Sequence, residues 1–499
     1  MHYLRRGLRT TGIYFVLLFL FLGGIYLVYF LAQQGVSPWA SGVVLIYVLS
    51  VVTGLALFSQ RRNKYVKLSW LLVFILLPLV GPLLFLLFGL RYSERTSLDI
   101  YRQKQNFKHE ITDLKTSLPT RQELFNNQSK LSNRGIYRGN FEVFASGPQS
   151  FEQIFADIKK AQHFIHVNYY IIKAGEIYDQ FRALIVEKVR AGVKVRMIID
   201  DIGRWGLPWY EMKFLRQQGV EIRILNRIHF PFIGSNNTYR NHRKLIIIDG
   251  RIVHTGGANI GDEYANLDKR FGVWLDYKAR ITGPIVRSYS LLFLGDWNSI
   301  GPPLEPLESY LLEDKSGGNS WAVLVEDGPE IDDNPLESSV VSWIFNAHKK
   351  IQIVTPYFIP THALLGALKA ATLRGVEVEI FIPGLPDKKS IYTATLFWLS
   401  QLKPYGVKVY QAREMILHAK IGLFDDQYAY LGTFNFDFRS MNSQFECSAL
   451  VQGEAAQQVG ALIEHYRRLS SLVELSDLKQ KRLRRWFISV LALFFAPAM

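Results

Sequence analysis

Two stretches of this sequence hold residue types that can work on a phosphate. The first reads His242-Arg243-Lys244, four apolar residues and Asp249, with Gly256-Gly257-Ala258-Asn259 shortly after. The second reads His418-Ala419-Lys420, four residues and Asp425, then Gly432-Thr433-Phe434-Asn435, and lies 176 residues further along with every position in step. Exchange at a phosphodiester needs a nucleophile, a proton donor for the leaving alkoxide and positive charge for the non-bridging oxygens. Two histidines supply the first two roles with no metal or cofactor required, Lys244 and Lys420 supply the charge, and Asn259 and Asn435 supply N–H donors. The scheme is ping-pong, through a phosphohistidine. In an apolar strand residues i and i+2 share a face, so His242 and Lys244 are expected to point together, as are His418 and Lys420.

An attacking histidine must present one ring nitrogen while an acceptor holds the other. The strand after each motif offers a carboxylate, Asp276 in Trp274-Leu275-Asp276 and Glu446 in Phe445-Glu446. Asp249 and Asp425 complete the catalytic motifs but end their strands beside turns, where a structural hydrogen-bonding role is expected. A histidine in an apolar strand is more often a core residue than a catalyst, and His163, His166, His229, His254, His348 and His465 are read that way. Duplicated spacing sets His242 and His418 apart. Tyr170 and Tyr357, at corresponding strand ends, either line a cleft or pack in the core; Arg240 and Arg243 either grip a second phosphate or face solvent. The single Cys447 excludes an internal disulfide framework and a multi-cysteine metal site, and reads as buried and inert.

These motifs need a frame. Residues 151–162 read as an amphipathic helix, 163–172 as a strand, 177–191 as a helix and 193–199 as a buried strand, and 336–349, 351–357, 364–373 and 376–382 repeat that order. The alternation implies parallel strands joined by helices. Turn units recur in step, Ala191-Gly192-Val193-Lys194-Val195 against Arg374-Gly375-Val376-Glu377-Val378, and an internal duplication outweighs any single local assignment. The expected body is an α/β protein with one half at 141–300 and another at 321–475, joined by a Gly/Pro/Ser-rich linker at 301–320 and preceded by a polar connector at 91–140.

The doubled His-x-Lys-x4-Asp motif with its trailing Gly-Gly/Thr-x-Asn resembles the phospholipase D superfamily, in which two similar halves each give one motif to a single active site. The strings Asn241-His242-Arg243-Lys244, Gly256-Gly257-Ala258-Asn259-Ile260-Gly261-Asp262-Glu263-Tyr264 and Pro383-Gly384-Leu385-Pro386-Asp387 are similar to its bacterial cardiolipin synthase branch, and the resemblance covers nearly the whole chain. It implies two α/β sandwich halves with mixed sheets, packed with pseudo-twofold symmetry so that the motif strands meet at the interface. It further implies that each histidine is oriented by a carboxylate from the other half and that two phosphatidylglycerols are joined into cardiolipin with release of glycerol; family analogy favours His242 as the attacking imidazole, a choice the near-equivalent halves leave open. Gly257 and Thr433 stand where the family often has serine, and Asn442-Ser443-Gln444 before Glu446 is a looser match.

A balance of 58 Lys+Arg against 43 Asp+Glu, +15 overall, favours an anionic partner. Three uncharged stretches, 12–32, 40–59 and 68–90, are each long enough to cross a hydrocarbon core of about 30 Å as a helix, and three in succession are more than a cleaved signal. Residues 1–90 are therefore expected to make a multi-pass anchor in the bacterial cell membrane. Arg5, Arg6 and Arg9 before the first stretch, and Arg61, Arg62, Lys64 and Lys67 after the second, put the N-terminus and the second loop in the cytoplasm. Pro78, Gly81 and Pro82 leave open whether the third stretch crosses or turns back. At 476–499, Lys479, Lys481, Arg482, Arg484 and Arg485 run into an aromatic-apolar segment that suits an interfacial anchor on anionic lipid. A nuclease gains little from membrane spans, so no nucleic acid partner is expected. A hydrolase of the same fold differs only in letting water resolve the intermediate, and two intact motifs argue against a non-catalytic lipid binder.

Overall fold

The computed structural model describes residues 23–85, 123–228 and 239–474, apart from 25, 27, 28, 60–63, 79, 269, 271, 313–316, 330, 332 and 333. The C-terminal basic segment, His229, most of the 91–140 connector and much of the first apolar stretch lie outside these residues. The chain divides into two compact units, Met1–Leu90 and Arg91–Met499.

In the first unit the second apolar stretch forms one helix, Pro38–Ser59. The third does not: helix Lys64–Leu76 stops just before Pro78, and a short helix, Gly81–Leu84, follows. Proline has no N–H to give and its ring clashes with the preceding turn; the hydroxyl of Ser50 donates to the Pro78 carbonyl at 3.1 Å. The chain then returns, so that the Phe85 ring packs edge-on against Trp70 at 5.2 Å and Phe74 at 5.6 Å. Among the described residues no helix is long and apolar enough to cross a membrane.

The second unit carries the duplication. In the first half, helix Gly147–Lys160, strand Phe164–Tyr169, helix Glu176–Arg190 and strand Lys194–Asp200 follow in order; in the second, Pro335–Asn346, Lys350–Val354, His362–Leu373 and Glu377–Ile382 do the same. Phe164–Tyr169 and Lys194–Asp200 are parallel, as are Lys350–Val354 and Glu377–Ile382. On the other side the first strand of each half meets its motif strand antiparallel, Tyr169 opposite Lys244 and Val354 opposite Ile421. Each half is thus a mixed sheet covered by helices.

The halves are more continuous than two separate sandwiches. Strand Ile136–Phe144, which starts inside the expected connector, pairs through residues 136–139 with strand Ser320–Asp327 of the second half and through 140–144 with Lys278–Thr282 of the first. Together they make a single sheet of 16 strands among the described residues. A hydrophobic core straddles the seam, with Phe141, Tyr277, Tyr289, Leu431, Cys447 and Tyr466 all buried in one cluster. The connector's helix Glu123–Ser132 docks on the second half through Phe125, 5.9 Å from the Trp343 ring. The linker is anchored too, with Tyr310 against Phe164 at 5.3 Å and His166 at 5.5 Å.

Candidate active site

The two histidines do not sit inside the motif strands. Those strands begin at Lys244 and Ile421, and the short segment before each leaves its own sheet to pair with the other half. Arg240–Asn241 runs parallel to strand Gln444–Gly453, and the His242 amide donates to the Phe445 carbonyl at 2.9 Å. Met415–Leu417 runs parallel to Val273–Leu275, and the His418 amide donates to the Leu275 carbonyl at 2.8 Å. In each case the next residue on the partner strand is the carboxylate. His242 Nδ1 therefore meets Glu446 Oε1 at 2.8 Å, and His418 Nδ1 meets Asp276 Oδ2 at 2.7 Å. A carboxylate that accepts from Nδ1–H leaves Nε2 with its lone pair, the form that can attack or take a proton.

Each motif lysine is fully buried and capped on the carbonyl of its own histidine, Lys244 Nζ at 2.7 Å from His242 O and Lys420 Nζ on His418 O. Lys420 Nζ also lies 2.8 Å from His418 Nδ1. A third buried ammonium, Lys278, donates to the Tyr169 hydroxyl at 2.7 Å and to the Ala258 carbonyl at 2.5 Å, fastening the turn that carries Asn259. It was not singled out from the sequence, although it follows Asp276 by two positions on the same strand path. Asn259 and Asn435 are buried with Oδ1 lacking a partner. Turning the Asn259 amide over would let the Tyr264 hydroxyl, 2.7 Å from Nδ2, donate to Oδ1 and free the NH2 for an anion.

Asp249 and Asp425 do other work. The strand from Lys244 to Asp249 spans about 16 Å at about 3.3 Å per residue, so the motif's two ends are far apart. Asp249 accepts from the backbone N–H groups of Gln162, His163 and Phe164, each at 2.8 Å. Asp425 accepts likewise from His348 at 2.8 Å, Lys349 at 2.7 Å and Lys350 at 2.9 Å. Both sit at positive φ, 50° and 52°, a turn conformation that Asp tolerates better than most residues. They tie the motif strand to the start of its neighbour.

Burial dominates the electrostatics. It holds His242 well below the usual histidine range, with Lys244 and Lys420 adding repulsion. It lowers His418 to about 4, with Lys420 adding to the fall and Asp276 opposing it. It lowers Lys420 to about 8 and Lys278 to about 7, and raises Glu446 to about 8 against the pull of Lys244. Burial thus outweighs the nearby Asp276 and Glu446 at the lysines, and a phosphate placed here would raise the lysines and histidines together.

A family model described as cardiolipin synthase, phospholipase D-like domain, matches residues 154–297 and 340–468, one stretch in each half. The chain belongs to this family. A model described as phospholipase D-nuclease N-terminal matches residues 43–89. The cardiolipin synthase of Halalkalibacterium halodurans is 33% identical over 95% of this chain and 97% of its own length, and the major cardiolipin synthase ClsA of Bacillus subtilis is 33% identical over 82% and 88%. The crystal structure of phosphatidylserine synthase from Haemophilus influenzae covers 75% of this chain and 97% of its own, with a TM-score of 0.59 and 17% identity, a likeness of fold.

Within this phospholipase D-like frame the two departures from the serine pattern have different causes. The Thr433 hydroxyl donates to Glu446 Oε2 at 2.5 Å, completing the shell of that carboxylate. At Gly257 a Cβ would lie 2.0 Å from Asp276 Oδ1, so a side chain there would displace the carboxylate from its present position. Its Oδ1 takes the Tyr277 amide instead, at 2.8 Å.

The arginines take neither of their expected roles. Arg243 is fully buried and ion-paired to Asp296, with Nε on the Glu446 carbonyl at 3.2 Å. Arg240 is equally buried, bound to Asp200 at 3.1 Å and the Asn226 carbonyl at 2.8 Å. Both stabilise the crossing segment from behind. The two tyrosines flank the histidines, Tyr170 with its ring 5.4 Å from that of His242 and Tyr357 at 6.4 Å from His418. Trp274 at 5.1 Å and Tyr264 at 6.2 Å close the box around His418. His166 and His254 are buried core residues, the first stacked on Phe293 at 4.3 Å and the second bound to Asp157 at 2.9 Å, and Cys447 is a buried free thiol.

Proposed function

We propose that this protein is a cardiolipin synthase: it transfers a phosphatidyl group from one phosphatidylglycerol to another, giving cardiolipin and glycerol. The observation that carries the reading is the crossed pair of His–carboxylate contacts at 2.8 and 2.7 Å, which puts one oriented imidazole from each half beside Lys244 and Lys420. One imidazole attacks phosphorus as the bond to glycerol oxygen breaks, and the other, as imidazolium, protonates the departing glycerol. The same imidazole then deprotonates the acceptor hydroxyl, which attacks the phosphohistidine and breaks the P–N bond. Lys244 and Lys420 hold the non-bridging oxygens, with the amides of Asn259 and Asn435 as further donors. The aromatic box of Tyr264, Trp274 and Tyr357 limits water at the intermediate, which favours transfer over hydrolysis.

The membrane location belongs to the same proposal. The three uncharged stretches at 12–32, 40–59 and 68–90, with the match of residues 43–89 to the N-terminal family model, support an anchor in the membrane. The return of Phe85 onto Trp70 and Phe74 supports a third stretch that turns back. Exposed Trp205, Trp209 and Tyr210, on the segment after strand Lys194–Asp200, suit a lipid interface. The basic segment at 476–499 adds an anchor on anionic lipid.

The test is an assay of the purified protein in vesicles with radiolabelled phosphatidylglycerol as sole substrate and a chelator present. Cardiolipin and free glycerol in equal amounts are expected. Phosphatidic acid with no cardiolipin would make the protein a hydrolase, and no turnover would sink the proposal.

A further inference from the structure

The string Pro383–Asp387 takes no part in the chemistry above, yet the fold brings it to the site. Gly384 and Leu385 both donate their amides to the Met415 carbonyl at 3.0 Å, and a Cβ on Gly384 would lie 1.8 Å from the Ala412 carbonyl. The loop is thus pressed onto the segment that leads into His418. From it the Asp387 carboxylate accepts the Tyr357 hydroxyl, and Lys388 Nζ stands 5.3 Å from the centre of the same ring. That ring lies 6.4 Å from His418. Asp387 is within electrostatic reach of His418 and Lys420, and Lys388 of His242. Lys388 is exposed, with Asp437 within its electrostatic reach and no ion pair to it among the described residues.

We propose that Asp387 and Lys388, with Tyr357 between them and His418, form the subsite for the acceptor alcohol, a glycerol diol carried on a second phosphodiester. The inference rests on the transferase reading and deepens it. The reacting phosphate occupies the buried lysine pair. An acceptor whose terminal hydroxyl attacks that phosphorus must carry its own phosphate one glycerol unit further out, toward the rim, where Lys388 offers an exposed cation. Its hydroxyls reach a carboxylate that can accept from them. The first half lacks this pair: the cation on its equivalent loop, Arg204, is bound to Asp201. In the second half-reaction the acceptor O–H gives its proton to the free imidazole, the new P–O bond forms and the P–N bond breaks. Water can make the same attack; the aromatic box limits its access, and this outer contact favours the lipid alcohol over what water remains.

The experiment measures cardiolipin and phosphatidic acid formed from phosphatidylglycerol, with released glycerol as the count of first half-reactions, in full-length wild type, Lys388→Gln, Lys388→Arg and Asp387→Asn. The expected result is a fall of about tenfold in the cardiolipin-to-phosphatidic acid ratio for Lys388→Gln and Asp387→Asn, with Lys388→Arg close to wild type. A ratio unchanged in both while cardiolipin is still made would overturn the subsite alone. Wild type that releases no glycerol would overturn the transferase reading, and the subsite with it.

Discussion

Replacing Asp276 by Asn tests the orienting pair most directly, because both oxygens of this carboxylate are used as acceptors. Oδ2 takes His418 Nδ1 at 2.7 Å and Oδ1 takes the Tyr277 amide at 2.8 Å. Asparagine keeps the volume but has one acceptor and one donor group. With its oxygen toward His418, the NH2 faces the Tyr277 N–H, donor against donor; turned over, it donates to Nδ1 and forces the proton onto Nε2, the nitrogen that must react. Asp276 is almost fully buried, so no water relieves either arrangement. A lost hydrogen bond to a charged group is worth about 1.5–3 kcal/mol, which converts to a loss of about 10- to 150-fold in kcat. KM should rise as well, most at alkaline pH, because the Asp276 charge supports the cationic form of Lys420. The assay is cardiolipin formation in phosphatidylglycerol vesicles, with thermal unfolding of the same preparation as a control. A variant with kcat within twofold of wild type and unaltered unfolding would refute the orienting role.

Gly257→Ala should mimic that defect, since its Cβ would lie 2.0 Å from Asp276 Oδ1 and turn the carboxylate away. The double variant with Asp276→Asn should be no worse than the poorer single one, and additive losses would refute the coupling. Lys420 is held down to about 8 by burial: below that pH it is cationic and grips phosphate, and above it the charge is lost. The kcat/KM profile should therefore fall on the alkaline side from about pH 8, as a limb of the coupled set; a profile flat to about pH 10, the range of an ordinary lysine, would exclude this. Protein-bound label from phosphatidyl-labelled substrate, stable to alkali and lost in acid, should be absent in His242→Asn and present in His418→Asn. The reverse exchanges the two roles, and label in both variants contradicts a single nucleophile. Asp249→Ala strips three backbone amides of their acceptor and should cost about 2–4 kcal/mol of stability, read as a lower urea midpoint, with turnover per folded molecule preserved. A large loss of turnover in fully folded protein would place Asp249 in the chemistry instead.

The sequence alone determined the chemistry-bearing residues and the repeat that holds them. The motif repeated at His242 and His418, and the strand pattern repeated at 193–199 and 376–382, are each local patterns and need no coordinates to read. So is the helix–strand alternation, because apolar periodicity follows from which face each element buries. Pro78 marked where the third stretch could break, since that depends on a missing N–H, but whether it breaks or crosses stayed open in the sequence. The strand bounds were less legible: His242 and His418 were placed on their motif strands by i, i+2 parity, whereas their backbones hydrogen-bond to the opposite half.

Tertiary structure decided which carboxylate meets which imidazole, across 204 residues for His242 and 142 for His418. It also turned Arg240 and Arg243 inward onto Asp200 and Asp296, brought Lys278 beneath the Asn259 turn, and fused the two half-sheets through Ile136–Phe144. Asp387 and Lys388 reached the site only because their loop is pinned on Met415. Each of these rests on a contact between residues far apart in the chain, and a one-dimensional pattern records what a residue is and which face it occupies, while the partner on that face is set by how the sheets cross.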